Sequence, residues 1–359
     1  MTFAINGLSL YHHSQRKDEL GGRKMLKSNM TKKKVLKVLL KREGDIVSGS
    51  ELSSLLKVSR QTIWKAIESL REEGFYIESI PHQGYRLLDK SNADLSPTWI
   101  ELSLDDISWG HPVLYWDSLD STQEPAKSLA RQGANEGIVI LAEEQKAGRG
   151  RLGREWLSPE EGSISLSVIS RPNIDPSFLQ LLSLSTAIAV HDCLKELFNN
   201  IDLELKWPND ILWKGAKICG ILIEASSEPG KVHYAIIGIG LNANLNQKTL
   251  STVNKPATSL KTILGRKVHR GKIVAALVRQ LQKEISNLEK REGITECIRK
   301  YSKLCSTLGM QVKIEQDNQV IKGIAEGISP LGNLIVRSEK GTMMSFSAAD
   351  VTHLKAIKP

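Results

Sequence analysis

The chain has 359 residues, 40% of them hydrophobic and 25% charged, and its 49 Lys and Arg against 40 Asp and Glu give a net charge of +9. This length is enough for roughly two or three domains with buried cores. The sequence contains no long apolar run and no continuous apolar stretch near its start, which argues against a membrane span and against secretion. Its four cysteines form no C-x-x-C pair, so we expect a cytoplasmic protein without a structural metal.

Basic residues are concentrated near the N-terminus. Residues 1–28 show no hydrophobic periodicity and are interpreted as a tail. Nine basic residues and no acidic one lie between Arg23 and Arg42. Such an uneven distribution is typical of nucleic-acid binding. The alternative is a solvated basic segment without a partner.

Residues 29–90 have the pattern of a helix-rich small domain. Apolar residues between Val35 and Leu40 predict a first helix. Ser50 is the expected cap of a second helix, 51–56. Three leucines are expected on the inner face of that helix: Leu52, Leu55 and Leu56.

A short turn separates the second helix from a third. Ser59 is its expected cap, the helix runs over 60–73, and Gly74 ends it. Two extended runs at 75–80 and 84–87 then form a β-hairpin. Helix, turn, helix and hairpin together predict a winged helix-turn-helix.

The start of the third helix carries the candidate DNA-binding residues. On a recognition helix these positions face bases and phosphates. They are Arg60, Gln61, Thr62, Trp64 and Lys65. The alternative is a winged helix used for protein interaction, which the neighbouring basic residues make less favourable because phosphate contacts need cations.

The remainder of the chain predicts two further domains. Residues 91–98 are interpreted as a linker to an α+β domain, 99–305, with a mixed sheet and helices on one side. Its clearest elements are an alternating strand over 163–170 and an amphipathic helix over 179–197. Short strands with turns from 306 to 359 predict a small β-barrel of SH3 type. The fold class is therefore α+β in three parts.

One loop of the middle domain combines glycine and arginine. Residues 148–156 contain three glycines, three arginines and one tryptophan, and they follow a buried strand over 138–142. Glycine lets backbone N–H groups approach a ligand, and arginine suits phosphate and carboxylate. The loop matches G-x-G-x-x-G but lacks the following helix, and it lacks the Lys-Ser/Thr pair of a P-loop. We interpret it as a loop that closes over a polyanion; the alternative is a flexible surface loop.

The rest of the middle domain favours charge stabilisation over nucleophilic catalysis. It contains no G-x-S-x-G motif, no paired catalytic carboxylates and no metal-ligand cluster by spacing. Its conspicuous groups are cations and amides, which suit positioning of anions. A reaction whose substrates bring their own nucleophiles, such as activation of a carboxylate by ATP, fits this inventory.

Several motifs resemble those of biotin–protein ligases, in that family's order. They are Asp120-Ser121-Thr122, residues 148–159, Lys206-Trp207-Pro208-Asn209-Asp210, residues 217–224 and residues 238–244. The winged helix in front resembles the bifunctional subclass, in which the ligase is also the biotin operon repressor. The resemblance implies synthesis of biotinyl-5′-AMP from biotin and ATP, then transfer of biotin to a lysine of a biotin carboxyl carrier protein domain.

The resemblance also implies roles for individual residues. The catalytic set is Lys217, Arg149 and Arg151. The biotin-binding set is Ser121, Thr122, Gln123, Gln145, Arg149, Gly150, Arg151 and Lys217. The set for ATP and adenylate is Arg151, Arg154, Trp156, Lys206, Asn209, Asp210 and Asn242. Mg²⁺ is implied as the companion of ATP, with Asp210 as a candidate ligand.

The same resemblance implies a regulatory partner set and leaves two rivals open. The adenylate-filled protein is expected to form a homodimer on operator DNA, with biotin as the corepressor precursor and no membrane involved. Gln123 stands where the family usually has Asn, and residues 347–351 depart from its usual ending. The rivals are an acyl ligase for lipoate or octanoate and a biotin-sensing regulator without ligase activity.

Overall fold

A computed structural model describes residues 19–89, 93–160, 162–199, 201–253, 255–316, 319–347 and 350–354. Residues 1–18 of the predicted tail, 91–92 of the predicted linker and 348–349 of the divergent ending lie outside these ranges. Contacts divide the chain into two compact units, one of residues up to 116 with 269–275 and one of 117–268 with 276–359. The predicted linker and the domain bounds built on it stay a prediction.

The first unit contains the helix-turn-helix. Its helices are α1 (Glu19–Lys41), α2 (Gly49–Leu56), α3 (Arg60–Glu72) and α4 (Pro97–Ser103). Its strands β1 (Ile46–Val47), β2 (Tyr76–Ile80) and β3 (Gly84–Asp89) form a sheet of order β1-β3-β2. The helix-turn-helix and its hairpin are therefore confirmed, while α1 begins earlier than the periodicity indicates and β1 was not predicted.

Capping explains where α2 and α3 begin. The Ser59 hydroxyl accepts a hydrogen bond from Thr62 N at 3.1 Å, as predicted. The cap of α2 is Ser48, which accepts from Glu51 N at 3.0 Å, so the assignment to Ser50 is wrong. Gly49 has the helical conformation and thus moves the start of α2 two residues toward the N-terminus.

The inner faces of α2 and α3 follow the predicted pattern with one exception. Four residues of α3 are buried in the core of the unit: Ile63, Ala66, Ile67 and Leu70. They pack in one cluster with Leu52 of α2 and with Val35, Leu36 and Leu39 of α1. Leu55 is 58% exposed, so its predicted place on the inner face is wrong.

Part of the basic cluster of α1 is neutralised within the first unit. Lys32 pairs with Glu73, Lys33 with Glu101, Lys37 with Asp105 and Arg42 with Glu51. These lysines hold α1 against α3 and α4. The cluster is therefore neither a simple solvated segment nor a fully free surface for phosphates.

The second unit is built on a seven-stranded sheet of order β4-β5-β6-β10-β9-β8-β7. Its strands are β4 (Val113–Leu119), β5 (Val139–Gln145), β6 (Ser163–Ser170), β7 (Glu204–Lys206), β8 (Asp210–Trp213), β9 (Ala216–Glu228) and β10 (Lys231–Asn242). The helices are α5 (Gln123–Arg131), α6 (Leu179–Leu197), α7 (Gln247–Leu250), α8 (Leu260–Leu264), α9 (Arg270–Leu288) and α10 (Gly293–Leu304). The first residues of β4, up to 116, and of α9, up to 275, are counted with the first unit. The strand predicted over 163–170 and the helix predicted over 179–197 are confirmed at both ends.

The segment Pro176–Leu197 is long enough and apolar enough to cross a bilayer. In the described part of the chain it is the one segment of this kind, and 72% of its apolar window is buried within the fold. This burial is typical of a core helix.

The C-terminal strands form an antiparallel sheet of order β14-β13-β12-β11-β15. They are β11 (Gln311–Gln316), β12 (Gln319–Ile328), β13 (Leu334–Ser338), β14 (Met343–Phe346) and β15 (Asp350–His353). Among the described residues β14 and β15 are the edges of this sheet and do not pair with each other. The sheet is open in this structure, and the predicted closure into a barrel is not seen.

Candidate active site and DNA-binding helix

The glycine–arginine loop leaves β5 and folds back on itself. Gly150 N donates to the Arg154 carbonyl at 2.7 Å, and Trp156 N donates to the Gly148 carbonyl at 2.8 Å. A Cβ at position 148 would lie 2.4 Å from the Trp156 carbonyl oxygen, so only glycine fits there. Leu152, at the tip, has a φ of 56° and is 71% exposed. The turn thereby directs Trp156 back onto the sheet.

Three glycines make a flat floor where β9 and β10 pair. Gly220 lies opposite Gly240, and Leu222 lies opposite Gly238. Because residues two apart in a strand share a face, Gly238, Gly240 and Gly220 open the same face of the sheet. A Cβ at Gly240 would lie 2.3 Å from Trp156 Cε2, and one at Gly238 would lie 2.2 Å from Gln123 Nε2. The glycine floor therefore carries Trp156 at one end and Gln123 at the other.

A network of polar side chains holds the entry to α5. Thr122 N and its hydroxyl donate to Gln145 Oε1 at 2.9 and 3.2 Å, and the same hydroxyl lies 2.8 Å from Ser167 Oγ. Ser121 Oγ accepts from Gln123 N at 3.3 Å. The structure thus brings together the four residues predicted to read the ureido ring, Gln145 included.

The side-chain amide of Gln123 makes a hydrogen bond through its nitrogen but not through its oxygen. Its side chain is only 5% exposed, and its Nε2 donates to the Leu222 carbonyl at 3.1 Å. Its buried Oε1 accepts no hydrogen bond from any residue that the structure describes. A buried acceptor without a donor costs about 1–3 kcal/mol, so this atom is a ready site for a ligand N–H.

Lys217 and Asp210 form the closest ion pair of the site. Lys217 Nζ lies 2.6 Å from Asp210 Oδ1, and it lies 5.3 Å from the centroid of the Trp156 ring. Both side chains are about three-quarters buried. The ammonium group is therefore held at the edge of the glycine floor, on the side away from Gln123.

Arg149 and Arg151 of the loop each contact a polar side chain outside it. Arg151 Nη1 donates to Asn209 Oδ1 at 3.4 Å, and Asn209 Nδ2 donates to the Ile221 carbonyl at 2.7 Å. Arg149 Nη1 lies 3.4 Å from Glu124 Oε1, with both side chains more than half exposed. Because the exposed Arg149–Glu124 pair contributes little, a ligand anion can take Arg149 over.

Three further residues of the predicted adenylate set lie at the end of β10, in β7 and after the turn of the loop. Asn242 is buried, and its Nδ2 donates to the Thr258 carbonyl at 3.0 Å, which holds the loop before α8. Lys206 lies in β7 opposite Asp210. Arg154 is exposed after the turn of the loop.

The sequence reasoning missed the glycine floor and the Glu124–Arg149 pair. Gly238 and Gly240 were part of a recognised motif, but their alternation inside a buried strand is itself a signal of close approach by another group. Gly220 lies on β9, so its place in the glycine floor depends on the register of β9 against β10.

The thiol next to Lys217 is not a nucleophile candidate. Cys219 is fully buried, and burial raises its pKa far above the usual range, against the opposing effect of the Lys217 ammonium. A neutral buried thiol is inert. In the described ranges no three His, Cys, Asp or Glu side chains cluster as a metal site.

The candidate DNA-binding residues lie at the first turns of α3. Arg60, Gln61, Trp64 and Lys65 are exposed, with Trp64 at 52%. Thr62 is half-buried, and its hydroxyl lies 2.8 Å from Ser59 Oγ. Four of the five predicted side chains therefore share an open surface, while Thr62 also serves the cap.

Comparisons with known proteins agree with this arrangement. The model of the biotin/lipoate A/B protein ligase family matches residues 115–242, that of an HTH domain matches 31–86, and that of the biotin protein ligase C-terminal domain matches 307–354. The chain is 33% identical over 318 residues to the bifunctional ligase/repressor BirA of Bacillus subtilis (strain 168), which covers 88% of this chain and 97% of that protein. It is 30% identical over 315 residues to the protein of the same name from Escherichia coli (strain K12), with 88% and 94% covered.

A solved structure shows the same fold over most of the chain. The biotin protein ligase from Aquifex aeolicus, in complex with biotin and ATP, superposes with a TM-score of 0.58 and 27% identity, covering 67% of this chain and 99% of that one. The match is complete for the shorter protein, and the relatives above extend it over the helix-turn-helix. This chain therefore belongs to the biotin/lipoate A/B protein ligase family, in the group of bifunctional ligase/repressors.

Proposed function

We propose that the chain is an ATP-dependent biotin–protein ligase that also acts as a biotin-responsive repressor of transcription. The observation that carries the ligase half is the glycine floor, bounded by the unsatisfied Gln123 Oε1 at one end and by the Lys217 ammonium at the other. A molecule with an N–H group at one end and a carboxylate at the other would find a partner at each end. Biotin has both.

The first reaction joins biotin to AMP. A carboxylate oxygen of biotin attacks the α-phosphorus of ATP, the bond to the β-phosphate oxygen breaks, and pyrophosphate leaves. Negative charge accumulates where the carboxylate and the phosphate meet, and Lys217, Arg149 and Arg151 would stabilise it. The consecutive residues Asp210 and Asn209 already contact Lys217 and Arg151, whereas Arg149 would leave Glu124 to reach this point.

The second reaction transfers biotin to the carrier. The ε-amine of a lysine on a biotin carboxyl carrier protein domain attacks the acyl carbon, AMP leaves with the electron pair of the acyl–oxygen bond, and the nitrogen loses a proton. Trp156 and the folded loop would cover the adenylate meanwhile. Exclusion of water protects a reactive mixed anhydride from hydrolysis.

Mg²⁺ is expected to enter with ATP. Magnesium in such sites uses one or two carboxylates together with phosphate oxygens, and Asp210 is the carboxylate that lies beside Lys217. The donor set fits a metal that is carried by the nucleotide. When bound, it would neutralise charge on the phosphates.

The repressor half uses the first unit. The exposed side chains of α3 would enter the major groove, and an adenylate-filled homodimer would present two such helices to two half-sites. We assign DNA binding to residues 29–90, ligation to 99–305 and a small C-terminal β-domain to 306–359, in a cytoplasmic protein.

Gln123 favours biotin over lipoate as the acyl substrate. The ureido ring of biotin offers N–H donors to the unsatisfied Oε1, whereas the dithiolane ring of lipoate and the chain of octanoate offer none. Ser121, Thr122 and Gln145 surround the same end of the floor. A regulator without catalysis is disfavoured because Lys217 and the loop arginines are all present.

The test is a labelling assay with the purified chain. Biotin, ATP-Mg and a carrier domain should give a labelled carrier and pyrophosphate; an unlabelled carrier would refute the ligase. Gln123→Met should weaken biotin binding without improving lipoate binding, while Gln132→Met, at the other end of α5, serves as the matched control. Equal biotin affinity in both variants would contradict the role of Gln123.

A further inference from the structure

The strand β7 lies at one end of the seven-stranded sheet, and a short segment after α10 holds its outer side. Cys305 forms a parallel bridge with Leu205, and Ser306 N donates to the Leu205 carbonyl at 2.9 Å. Because backbone groups two residues apart in a strand point to the same side, Trp207 N, just past β7, faces this segment as well. It donates to the Thr307 hydroxyl at 3.1 Å, where a further strand would offer a backbone carbonyl.

The Thr307 hydroxyl is itself held from a second side. Thr307 is fully buried, and its Oγ1 lies 3.1 Å from Nε2 of His353 in β15. Burial and the nearby Lys206 ammonium lower the pKa of the His353 imidazole, so the ring is predominantly neutral at pH 7. With its proton on Nδ1, the ring accepts from the Thr307 hydroxyl, and the hydroxyl keeps a lone pair for Trp207 N. The hydroxyl is thus oriented as Trp207 requires.

Trp207 passes this position on to the residues that follow it. Its ring is buried, and its Nε1 donates at 3.0 Å to a carbonyl of the turn between β12 and β13, so the side chain is tied as well as the backbone. Two residues later, Asn209 Nδ2 donates to the Ile221 carbonyl at 2.7 Å, and Ile221 N donates to the Asn209 carbonyl at 3.0 Å. Asp210 comes next and forms the ion pair with Lys217. A shift of Trp207 would therefore move the carboxylate that holds this ammonium.

We propose that Thr307 is a positioning residue for adenylation, which acts through Trp207 on the position of Asp210. This inference rests on the proposed ligase function and adds to it a residue from outside the glycine floor and the glycine–arginine loop. Rates depend steeply on alignment, and a misplacement of about 1 Å costs roughly 100-fold. Biotin binding should depend less on Thr307, because Gln123 lies at the other end of the glycine floor.

Removal of the hydroxyl should separate catalysis from binding. Thr307→Val keeps the shape of the side chain but leaves Trp207 N without its acceptor, so adenylation at saturating biotin and ATP should slow about 10- to 100-fold. The dissociation constant of biotin should change by less than about twofold. Thr307→Ser restores the hydroxyl and should bring the rate back to within about threefold of the wild type. A purely structural role would lower the melting temperature of Thr307→Val without slowing the reaction well below it.

The matched control is a second buried threonine. Thr186 is also fully buried, and its hydroxyl donates to the Leu182 carbonyl within α6 at 2.6 Å. Thr186→Val makes the same change of atoms and loses a buried hydrogen bond, but it leaves the acceptor of Trp207 in place. Adenylation by this variant should stay near the wild-type rate.

Pyrophosphate release in a single turnover, together with biotin calorimetry and thermal unfolding, decides the matter. A normal rate in Thr307→Val, an equal loss in Thr186→Val or a failure of Thr307→Ser to recover the rate would overturn the positioning role. A loss of biotin affinity as large as the loss of rate would overturn it too. If Thr307→Val does not fold, Thr307→Ala carries the same prediction, since it also lacks the hydroxyl and needs less room.

A second measurement does not depend on substrates. Ile221 N donates to the Asn209 carbonyl, so hydrogen exchange of this amide reports how firmly the residues after Trp207 are held. Exchange should be faster in Thr307→Val than in the wild type and unchanged in Thr186→Val. Equal exchange in both variants would overturn the proposal. Faster exchange in Thr307→Val alone, with a wild type that releases no pyrophosphate from biotin and ATP, would support the positioning of this segment and refute the ligase function.

Discussion

The recognition helix and the glycine–arginine loop both present cations and a tryptophan, but they hold them in different ways. In α3 the Ser59 cap and the buried inner face fix the backbone. The exposed Arg60 and Trp64 are therefore positioned by the helix and not by contacts of their own side chains. In the loop the side chains themselves make the contacts: Arg149 reaches Glu124, and Trp156 lies on the glycine floor. One surface is ready before its ligand arrives, and the other must exchange internal partners for the ligand.

The free-energy cost of binding therefore differs between the DNA-binding helix and the loop. A preorganised helix loses little entropy on docking, whereas the loop gives up contacts to gain those of the ligand. Only the second arrangement makes conformation depend on occupancy, because a ligand shifts an equilibrium by its differential affinity for two states. The loop is thus the natural sensor and the helix the natural reader.

The largest expected effect is on the active site, where Lys217 forms its ion pair with Asp210. Lys217→Ala should lower the rate of adenylation about 100- to 1,000-fold, as removal of one charge-stabilising group does. It also leaves Asp210 as an unpaired carboxylate beside the phosphates. Pyrophosphate release in a single turnover measures this effect.

A neighbouring lysine provides the control. Lys214 lies in the same hairpin, and its Nζ sits over the Trp213 ring at 4.8 Å, much as Lys217 sits over Trp156. Lys214→Ala should retain near-normal adenylation. Similar losses in both variants would mean that the hairpin, and not the ammonium at the floor, is what matters.

The next effect tests the preorganised side. Arg60→Ala should weaken operator binding by about 1–3 kcal/mol and leave ligation intact, because the exposed guanidinium is lost without disturbing the cap or core. Filter binding or fluorescence anisotropy over a range of salt concentrations measures it. Arg266→Ala removes an exposed arginine of the second unit and should leave operator affinity unchanged; a loss there as large as for Arg60 would indicate a general charge effect.

The sequence predicted best what depends on local periodicity. The strand over 163–170 and the helix over 179–197 match at both ends, since their hydrophobic patterns span their whole length. Prediction was weaker where two local signals compete. Ser48 and Ser50 are both cap candidates by sequence, and only the position of Gly49 and Ser50 within the helix decides for Ser48. Leu55 shows the same limit, because eight residues define a helical face poorly.

The sequence predicted which residues belong to the site but not which of them contact each other. Motifs named Lys217, Asp210 and Trp156, yet nothing in their spacing places the indole on Gly240 or the ammonium on Asp210. Those contacts depend on the register of β9 against β10 and on the path of the loop. The neutralisation of Lys32 by Glu73, 41 residues away, is equally a product of tertiary structure.

A smaller effect probes what keeps α3 in place. Glu73 follows the last turn of α3 and accepts from Lys32 Nζ at 2.5 Å, from Thr98 N at 3.1 Å and from the Thr98 hydroxyl at 2.7 Å, and it also bonds to the Ser96 hydroxyl. Glu73→Gln replaces an accepting oxygen by a donor and leaves Lys32 without its counter-charge. We expect about 2 kcal/mol lower stability of the first unit in urea unfolding.

The matched control for Glu73 lies in the same helix. Glu68 pairs with Arg71 at 2.6 Å on the helix surface, and Glu68→Gln should cost less than about 0.5 kcal/mol because exposed pairs one turn apart are weak. Adenylation should be unchanged in both variants. Equal stability of the two proteins would show that the recognition helix does not depend on the Glu73 contacts.

The smallest expected effect separates the two serines at the start of α2, Ser48 and Ser50. Ser48→Ala should destabilise the helix-turn-helix by about 1 kcal/mol, the usual cost of an N-cap, because Glu51 N loses its acceptor. Ser50→Ala should cost only a few tenths of that, since among the described residues the hydrogen-bond partner of its hydroxyl is Ser48 Oγ at 3.0 Å. Circular dichroism melts of both variants measure the difference. If Ser50→Ala costs more stability than Ser48→Ala, α2 begins at residue 51, as the sequence pattern predicts. The start of the helix-turn-helix would then be less firmly fixed than a preorganised DNA-binding surface needs.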